Sequence, residues 1–315
     1  MRTAILVFLA TATLGGLPAA QAADLDYGVL RGPDYEPEGP LGLIDWSGVY
    51  VGGHGGYTAT ALGQRDVLQS TLADHFRRRD IESEFTVSQM IALPGTNVSG
   101  GSFGAFAGFN VQIDDTVFGI EADYTRFNKS RSSFAEIGRI MTTSTGIQEV
   151  VDLTGRSSTT IEDYGTVRGR VGYALGNFLP FVTGGLAVGR VSINDSVSVV
   201  NYGYDAKTYT ANQALTSGSP LYVNNHGYQT FNQNYPGVGT TPAGKGDQTT
   251  PAPAVNLTAA NRTKTVGGAA LGFGLEYALT SNILLRGEYQ YVLFQDFNGH
   301  KAELNTVRGG AAVKF

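Results

Sequence analysis

The chain has 315 residues, no cysteine and a formal net charge of −5. The lack of cysteine excludes disulfide bridges, and the mildly acidic balance gives no basic surface for nucleic acid. Residues 23–315 contain no run of 18 apolar residues, so we expect no membrane-spanning helix there. Any fold must therefore be held together by its own packing and hydrogen bonds.

The first segment has the features of a secretory signal peptide, residues 1–22. Arg2 supplies a positive charge, residues 4–17 are mostly apolar, and Ala20-Gln-Ala22 ends the segment with small residues. A membrane anchor is the alternative, but the apolar run is shorter than the ~20 residues that a spanning helix needs. Residues 23–45 are acidic, contain three prolines and lack periodicity, so we expect a flexible N-terminal segment.

Eight later segments have the composition and the alternation of β-strands. We predict strands over residues 48–60, 101–112, 117–127, 161–174, 179–192, 264–278, 283–295 and 305–315. Each has about the ten residues that a tilted strand needs to cross an outer membrane.

The connections between these strands alternate in length. The short ones cover residues 113–116, 175–178 and 279–282, and the long ones cover residues 61–100, 128–160 and 193–263. The last connection, residues 296–304, is of moderate length. Short turns on one side and long loops on the other are typical of outer-membrane barrels, whereas a soluble domain seldom carries three such loops. We therefore predict an all-β fold over residues 46–315: an eight-stranded antiparallel transmembrane β-barrel with short periplasmic turns and long extracellular loops. The N-terminal segment would then be periplasmic.

The two faces of each predicted strand differ, so one face can meet lipid and the other the lumen. This register places four acids and four arginines in the lumen: Glu121, Asp123, Arg168, Arg170, Glu276, Arg286, Glu288 and Arg308. An eight-stranded barrel is just wide enough to be filled by side chains, and charges removed from water should be paired. We predict a lumen charge network that plugs the barrel, with room for arginine left by neighbouring glycines. Scattered surface charges are the alternative.

Aromatic residues cluster near the ends of the predicted strands. Such residues form belts at the two membrane interfaces of a barrel. We assign to these belts Trp46, Tyr50, Tyr57, Phe127, Tyr173, Phe178, Phe181, Tyr277, Phe294 and Phe315.

Several strand segments resemble a known family. They are residues 45–57, 167–173, 179–189, 272–278 and 285–291, of which the second and third read VRGRVGY and LPFVTGGLAVG. These resemble the alphaproteobacterial outer-membrane immunogenic and porin-like proteins, the 25- and 31-kilodalton surface antigens, which share an OmpA-like small β-barrel domain. The resemblance covers the strands from residue 46 to residue 315, and the third long loop is longer than expected for that family.

The resemblance implies a surface-exposed antigen in the outer membrane of a Gram-negative cell. It also implies that the terminal aromatic residue, Phe315, is an assembly signal for the barrel-assembly machinery. Some relatives are described as porins or as binding haem-like ligands, activities that differ between members.

No catalytic, cofactor-binding or metal site is expected, and we predict that the protein is not an enzyme. The four histidines are far apart in sequence, without the spacing of a metal motif or a Ser-His-carboxylate set. Residues 239–246 have the spacing of a phosphate-binding loop but lack its Ser or Thr.

The leading interpretation is a structural outer-membrane barrel with a salt-bridged lumen. The alternatives are a small-solute porin, or a protein that binds a surface ligand or haem, or mediates adhesion, through its long loops. Expected partners are outer-membrane lipid and lipopolysaccharide; a homo-oligomer and a host or surface ligand stay open. In the first long loop, Arg77-Arg78-Arg79 is either solvated surface or a contact for lipopolysaccharide phosphates. The third is rich in tyrosine, which suits adhesion or ligand capture.

Overall fold

The computed structural model describes residues 44–233 and 249–315. The predicted signal peptide, nearly all of the N-terminal segment and the phosphate-loop-like spacing at 239–246 lie outside the described residues.

Eight long antiparallel strands close into a barrel. They are β1 Gly48–Gly63, β2 Thr96–Ile113, β3 Thr116–Thr142, β4 Ile147–Tyr173, β5 Phe178–Asp205, β9 Val255–Ala278, β10 Ile283–Phe297 and β11 His300–Lys314. Three short strands lie between β5 and β9: β6 Asn225–His226, β7 Tyr228–Thr230 and β8 Thr250–Pro251. Each long strand pairs with the barrel strands before and after it in the chain, and β1 pairs with β11 to close the ring. The predicted eight-stranded all-β barrel is confirmed.

Turns at the periplasmic end are short, as predicted, and cover residues 114–115, 174–177 and 279–282. At the other end, β10 and β11 are joined by Asn298 and Gly299 alone, whose φ angles are 59° and 79°. Two consecutive positive φ angles are typical of the tight hairpin turn that Asn-Gly favours. A moderate connection over residues 296–304 was therefore the wrong expectation.

The predicted loop over residues 128–160 is instead a β-hairpin. Strands β3 and β4 shift register between Arg126 and Lys129, then stay paired as far as Thr142 and Gln148. Likewise, much of the predicted loop over residues 193–263 is strand, because β5 and β9 pair as far as Val199 and Val255. The connection that remains contains α3, Ala206–Gln213, and the three short strands. The prediction was wrong because it limited each strand to the thickness of the membrane, whereas pairing between strands can continue beyond the lipid.

The outward face of β5 shows where the lipid ends. Its outward residues are apolar up to Val188, and Val182 and Leu186 are 59% and 71% exposed. From Arg190 onwards the outward residues of β5 are mainly Ser and Asn up to Ser198. This change from an apolar to a polar face places the upper parts of β3, β4, β5 and β9 outside the membrane, and we call them the extracellular wall. Among the described residues, no helix has the length and apolarity to cross a membrane.

The first long connection, predicted as a loop over residues 61–100, folds into a helical lid. It contains α1, Gln69–His75, α2, Asp80–Phe85, and a 3-10 turn, Val87–Gln89. Its apolar side chains pack against the inward face of the wall in one buried cluster: Val67, Leu68, Leu72, Phe76, Ile81, Val87, Ile91 and Leu93 from the lid, with Val151, Leu153, Val197 and Val199 from β4 and β5. The lid can approach β4 closely because residue 155 is glycine: an added Cβ there would lie 2.5 Å from Leu68 Cδ1.

Hydrogen exchange of the refolded barrel in detergent should separate a paired wall from a loop. We expect the amides of residues 148–160 to exchange slowly, because β4 pairs there with β3 on one side and with β5 on the other. The exposed residues 216–219, which lie outside any strand or helix, should exchange fast and serve as the internal reference. Equal rates in these two groups would contradict the wall.

Candidate functional site in the lumen and at the outer mouth

The eight charged residues assigned to the lumen all point inward and are buried, each with at most 6% of its surface exposed. They come from five strands: β3 carries Glu121 and Asp123, β4 carries Arg168 and Arg170, β9 carries Glu276, β10 carries Arg286 and Glu288, and β11 carries Arg308. Period-two alternation along each strand points them to one face, and closure of the barrel brings them together.

Arg168 is the centre of this network. Its Nη2 lies 2.7 Å from Glu121 Oε1 and 3.1 Å from Asp123 Oδ2, and its Nη1 lies 2.5 Å from Glu288 Oε1. The same Nη1 donates to Thr183 Oγ1 at 3.0 Å. The guanidinium of Arg168 therefore connects β4 to three other strands: β3, β5 and β10.

The other three arginines extend the network in both directions. Arg286 Nη2 lies 2.6 Å from Glu121 Oε2 and 2.5 Å from Glu276 Oε1. Arg170 Nη2 lies 2.8 Å from Glu276 Oε2. Arg308 Nη2 lies 2.6 Å from Asp123 Oδ2 and 3.0 Å from Glu288 Oε2. The charges of these eight side chains balance, which is the condition for placing ionised groups in a low-dielectric interior.

Tyr50 and Phe181, which the sequence had placed in the membrane belts, also belong to this network, together with Phe106. The Arg286 guanidinium lies 4.2 Å from the ring centroid of Phe106, and that of Arg170 lies 4.3 Å from the centroid of Phe181. Tyr50 donates a hydrogen bond to Glu121 Oε2 at 2.8 Å. Stacking on an aromatic face suits a guanidinium, which is weakly hydrated above and below its plane.

The belt assignment was thus wrong for several residues, and the glycines have another use. Trp46, Tyr50, Phe127, Phe181 and Phe294 are buried inside the barrel, whereas Tyr57, Tyr173, Phe178 and Phe315 are exposed on the outside.

Among the inward glycines, an added Cβ at Gly52 would lie 2.5 Å from Phe106, and at Gly274 it would lie 2.7 Å from Phe181. These glycines make room for the rings on which the arginines stack.

Apolar layers close the lumen below and above the charges. At the periplasmic end, Trp46, Val117, Leu179 and Leu284 form part of one buried cluster. Towards the outside, a larger cluster fills the barrel at the level where the strands leave the lipid: Leu62, Phe127, Ile161, Tyr164, Ala187, Val191, Ile193, Ala260, Val266, Ala270, Val292, Phe294, Phe297, Ala302 and Leu304. The lumen is therefore filled at three successive levels.

A second buried polar group lies between this apolar cluster and the lid. His300 Nε2 is 2.8 Å from Asp195 Oδ2, and its Nδ1 is 3.0 Å from Thr159 Oγ1. Ser157 donates to Asp195 Oδ1 at 2.6 Å, and Gln64 donates to Thr159 at 2.8 Å. Sequence reasoning missed this group because its members come from four distant segments. It resembles a catalytic triad in composition, but both Thr159 and His300 are 1% exposed, so a substrate could not reach them.

A cleft of about 530 Å³ opens at the outer mouth, above the lid. It is lined by the lid residues His75, Arg78, Arg79 and Asp80, by Thr143, Ile147 and Glu149 at the tip of the β3–β4 hairpin, by Val199 and Asn201 of β5, and by His226, Gly227, Ala252, Pro253 and Val255. We call it the mouth pocket.

A chain of hydrogen bonds crosses the mouth pocket. Glu149 accepts from Asn201 Nδ2 at 2.9 Å, and its other oxygen lies 2.7 Å from His226 Nε2. Arg79 donates to Asn201 Oδ1 at 2.7 Å. Burial lowers the pKa of the His75 imidazole, and the positive charge of the nearby Arg79 lowers it further.

Tyrosines of the third connection gather on the outward side of the wall. The ring centroids of Tyr202 and Tyr228 lie 5.1 Å apart, and Phe231 lies 4.9 Å from Tyr228 and 6.2 Å from Tyr204. Burial raises the pKa of Tyr228 well above its ordinary value. These rings hold the third connection against β5.

Two remaining sequence assignments concern the chain end and metal binding. Phe315 is 77% exposed at the periplasmic rim, where its backbone N–H donates to Val49 O at 2.9 Å. Its role as an assembly signal stays a prediction. Within the described part of the chain, no group of three or more His, Asp or Glu side chains could hold a metal ion.

Removing one buried arginine should destabilise the barrel far more than removing an exposed one. We expect Arg168→Met to lower the free energy of unfolding by about 3–5 kcal/mol, because three carboxylates would lose a buried partner. The control is Arg190→Met: Arg190 also pairs with two carboxylates, Glu162 and Asp163, but its side chain is 55% exposed, so we expect a much smaller loss of stability. Urea titration of both refolded variants, with heat-modifiable gel mobility as the readout, measures the difference in their free energies of unfolding. Equal losses would contradict the lumen network as a source of stability.

Comparisons with known proteins agree with this architecture. The family model described as an outer membrane protein beta-barrel domain matches residues 9–315. The 31 kDa outer-membrane immunogenic protein of Brucella melitensis biotype 1 is 26% identical over 322 residues, which cover 98% of this chain and 99% of that protein. The protein of the same name from Brucella suis biovar 1 gives the same values.

Among solved structures, Neisserial surface protein A matches with a TM-score of 0.35 and 14% identity, covering 85% of this chain and 98% of that chain. The attachment invasion locus protein Ail of Yersinia pestis matches with a TM-score of 0.31 and 10% identity, covering 85% and 99%.

The predicted resemblance to the immunogenic proteins and the predicted outer-membrane location are therefore confirmed. Since the family model spans nearly the whole chain, and the described residues close into an eight-stranded barrel with an apolar outer face, the chain belongs to the outer-membrane β-barrel domain family and is an outer-membrane protein.

Proposed function

We propose that the protein is a structural component of the outer membrane, a barrel closed by its own side chains that carries a rigid folded surface outside the cell. The observation that supports this most directly is the buried network of four arginines and four carboxylates across the lumen.

A conducting pore needs a continuous wet path, and the charges that line such a path remain hydrated. Here the side chain of Arg168 is 0% exposed and Arg308 only 2%, and each contacts at least two carboxylates. Apolar layers lie on both sides of the charges. An ion entering the lumen would have to break several buried ion pairs and pass the mainly apolar layers. An excess of one sign of charge would favour a small-solute porin, but the eight lumen charges balance.

The extracellular wall is what such a barrel displays. Strands of 24 to 28 residues in β3, β4, β5 and β9 exceed the length needed to cross the membrane, and the lid packs on their inward face. A filled lumen gives this wall a rigid base. The Brucella relatives are named as immunogenic, which supports the proposal that the wall is the surface that antibodies meet.

An alternative explanation for a closed barrel is that the lid blocks it, and not the side chains in the lumen. Replacing the lid distinguishes these two explanations. Leu93 donates a backbone hydrogen bond to Arg65 O at 3.3 Å, so the ends of the lid lie together. Residues 66–92 can therefore be exchanged for a short Gly-Ser turn. We expect the wild-type protein and the lid replacement to give no stable channels in planar bilayers, because the charge network and the apolar layers remain.

A general porin measured in the same bilayers provides the positive control, and heat-modifiable mobility shows that both proteins are folded. Stable channels in the wild-type protein would overturn the proposal and favour a porin. Channels only in the lid replacement would show that the lid, and not the lumen, closes the barrel.

A further inference from the structure

We propose that the mouth pocket binds an anionic saccharide, with Arg78 making the contact to the anionic group. This site lies above the lid and does not depend on whether the lumen conducts.

The pocket is shaped for a small ligand. Its volume of about 530 Å³ falls in the range of small-molecule sites. Its walls come from parts of the chain that the fold has brought together: the lid, the tip of the β3–β4 hairpin, the outer end of β5, and residues 226–227 and 252–255. Val199, Pro253 and Val255 supply an apolar surface beside the polar groups.

The three consecutive arginines of the lid have different surroundings. Arg77 pairs with Asp74 one turn earlier and does not line the pocket. Arg79 is held by Asn201 and lies 5.9 Å from the ring centroid of Phe76. Arg78 lines the pocket, and its side chain makes no hydrogen bond or ion pair with any residue in the described ranges 44–233 and 249–315. Of the two arginines that line the pocket, it is the one whose guanidinium is not already bound to another side chain in the described ranges.

The backbone at Arg78 supports this reading. Its φ is +66°, in the left-handed region that a residue with a side chain adopts at an energetic cost. A turn through this conformation directs Arg77 and Arg79 to their separate partners while leaving Arg78 at the pocket. Strained backbone conformations of this kind concentrate at binding sites, and here the strained residue is the unpaired cation.

The groups opposite the arginines define the rest of the ligand. Glu149 and Asn201 are already oriented by their mutual hydrogen bond and by His226. Carboxylate, amide, imidazole and hydroxyl groups in one pocket match the hydroxyl groups of a sugar, which both donate and accept. Two acids, Glu149 and Asp80, disfavour a ligand with many negative charges. A saccharide with a single carboxylate or phosphate group fits both the arginine and the acids.

Such a ligand could come from the envelope's own lipopolysaccharide or from a glycan outside the cell. The two sources share the same chemistry at the pocket. Competition distinguishes them, because lipopolysaccharide extracted from the producing cells either does or does not displace a bound monosaccharide.

The test is calorimetric titration of the refolded full-length protein with four probes: glucuronate, glucose 1-phosphate, glucose and inorganic phosphate. We expect the two anionic sugars to bind and the other two to bind at least tenfold more weakly. Arg78→Ala should weaken binding of the anionic sugars about tenfold, the size expected for loss of one charge-assisted hydrogen bond. Arg77→Ala removes the same charge one residue away and should leave binding unchanged.

Heat-modifiable mobility checks that each variant is folded, which we expect because both arginines are exposed. Equal losses of affinity in Arg78→Ala and Arg77→Ala would show that only the overall positive charge matters, and would overturn the proposed site. Inorganic phosphate binding as tightly as glucose 1-phosphate would overturn the saccharide assignment, and so would glucose binding as tightly as glucuronate. No binding of any probe would overturn the proposal. As a second variant, Asn201→Ala frees Arg79 without changing charge, and unchanged binding in it would contradict the role of the ordered polar groups.

Discussion

The rest of the structure depends on one constraint: charges that leave water inside a narrow barrel must find partners there. Arg168 meets this constraint by contacting three carboxylates from two other strands. Breaking one such contact leaves an unpaired charge in a low dielectric, whereas a complete set stabilises one arrangement of the strands. Strand register and lumen closure are therefore fixed by the same side chains. The extracellular wall is built on that fixed base.

Local patterns made the membrane part predictable. Alternation between neighbours in sequence is enough to assign Glu121 and Arg168 to the inward face, and it needs no knowledge of the partner strand. The stacking of Arg286 on Phe106 could not be obtained in this way, because it depends on the stagger between strands that closure imposes. The tight turn at Asn298-Gly299 is predictable from sequence, because Asn-Gly between two strands is a hairpin signal.

Outside the lipid, local sequence patterns were weaker guides to structure, for a physical reason. Membrane thickness sets a length for a strand, but in water only the pairing partner sets it. Leu153 on β4 and Val197 on β5 belong to an apolar inward face that needed a cover, and the lid that covers it lies more than fifty residues earlier in the chain. The mouth pocket needs the same lid and segments from both later connections. No local pattern could have assembled it.

The wall also leaves an open sheet margin. Within the described residues, β2 pairs with β3 only up to Arg126, so the outer stretch of β3 has β4 on one side and no strand on the other. An unpaired row of backbone N–H and C=O groups is a template for another strand. Charged residues along this stretch, Arg131, Glu136 and Arg139, place charge beside that margin. On a crowded cell surface, these charges would keep neighbouring barrels from joining edge to edge into a continuous sheet.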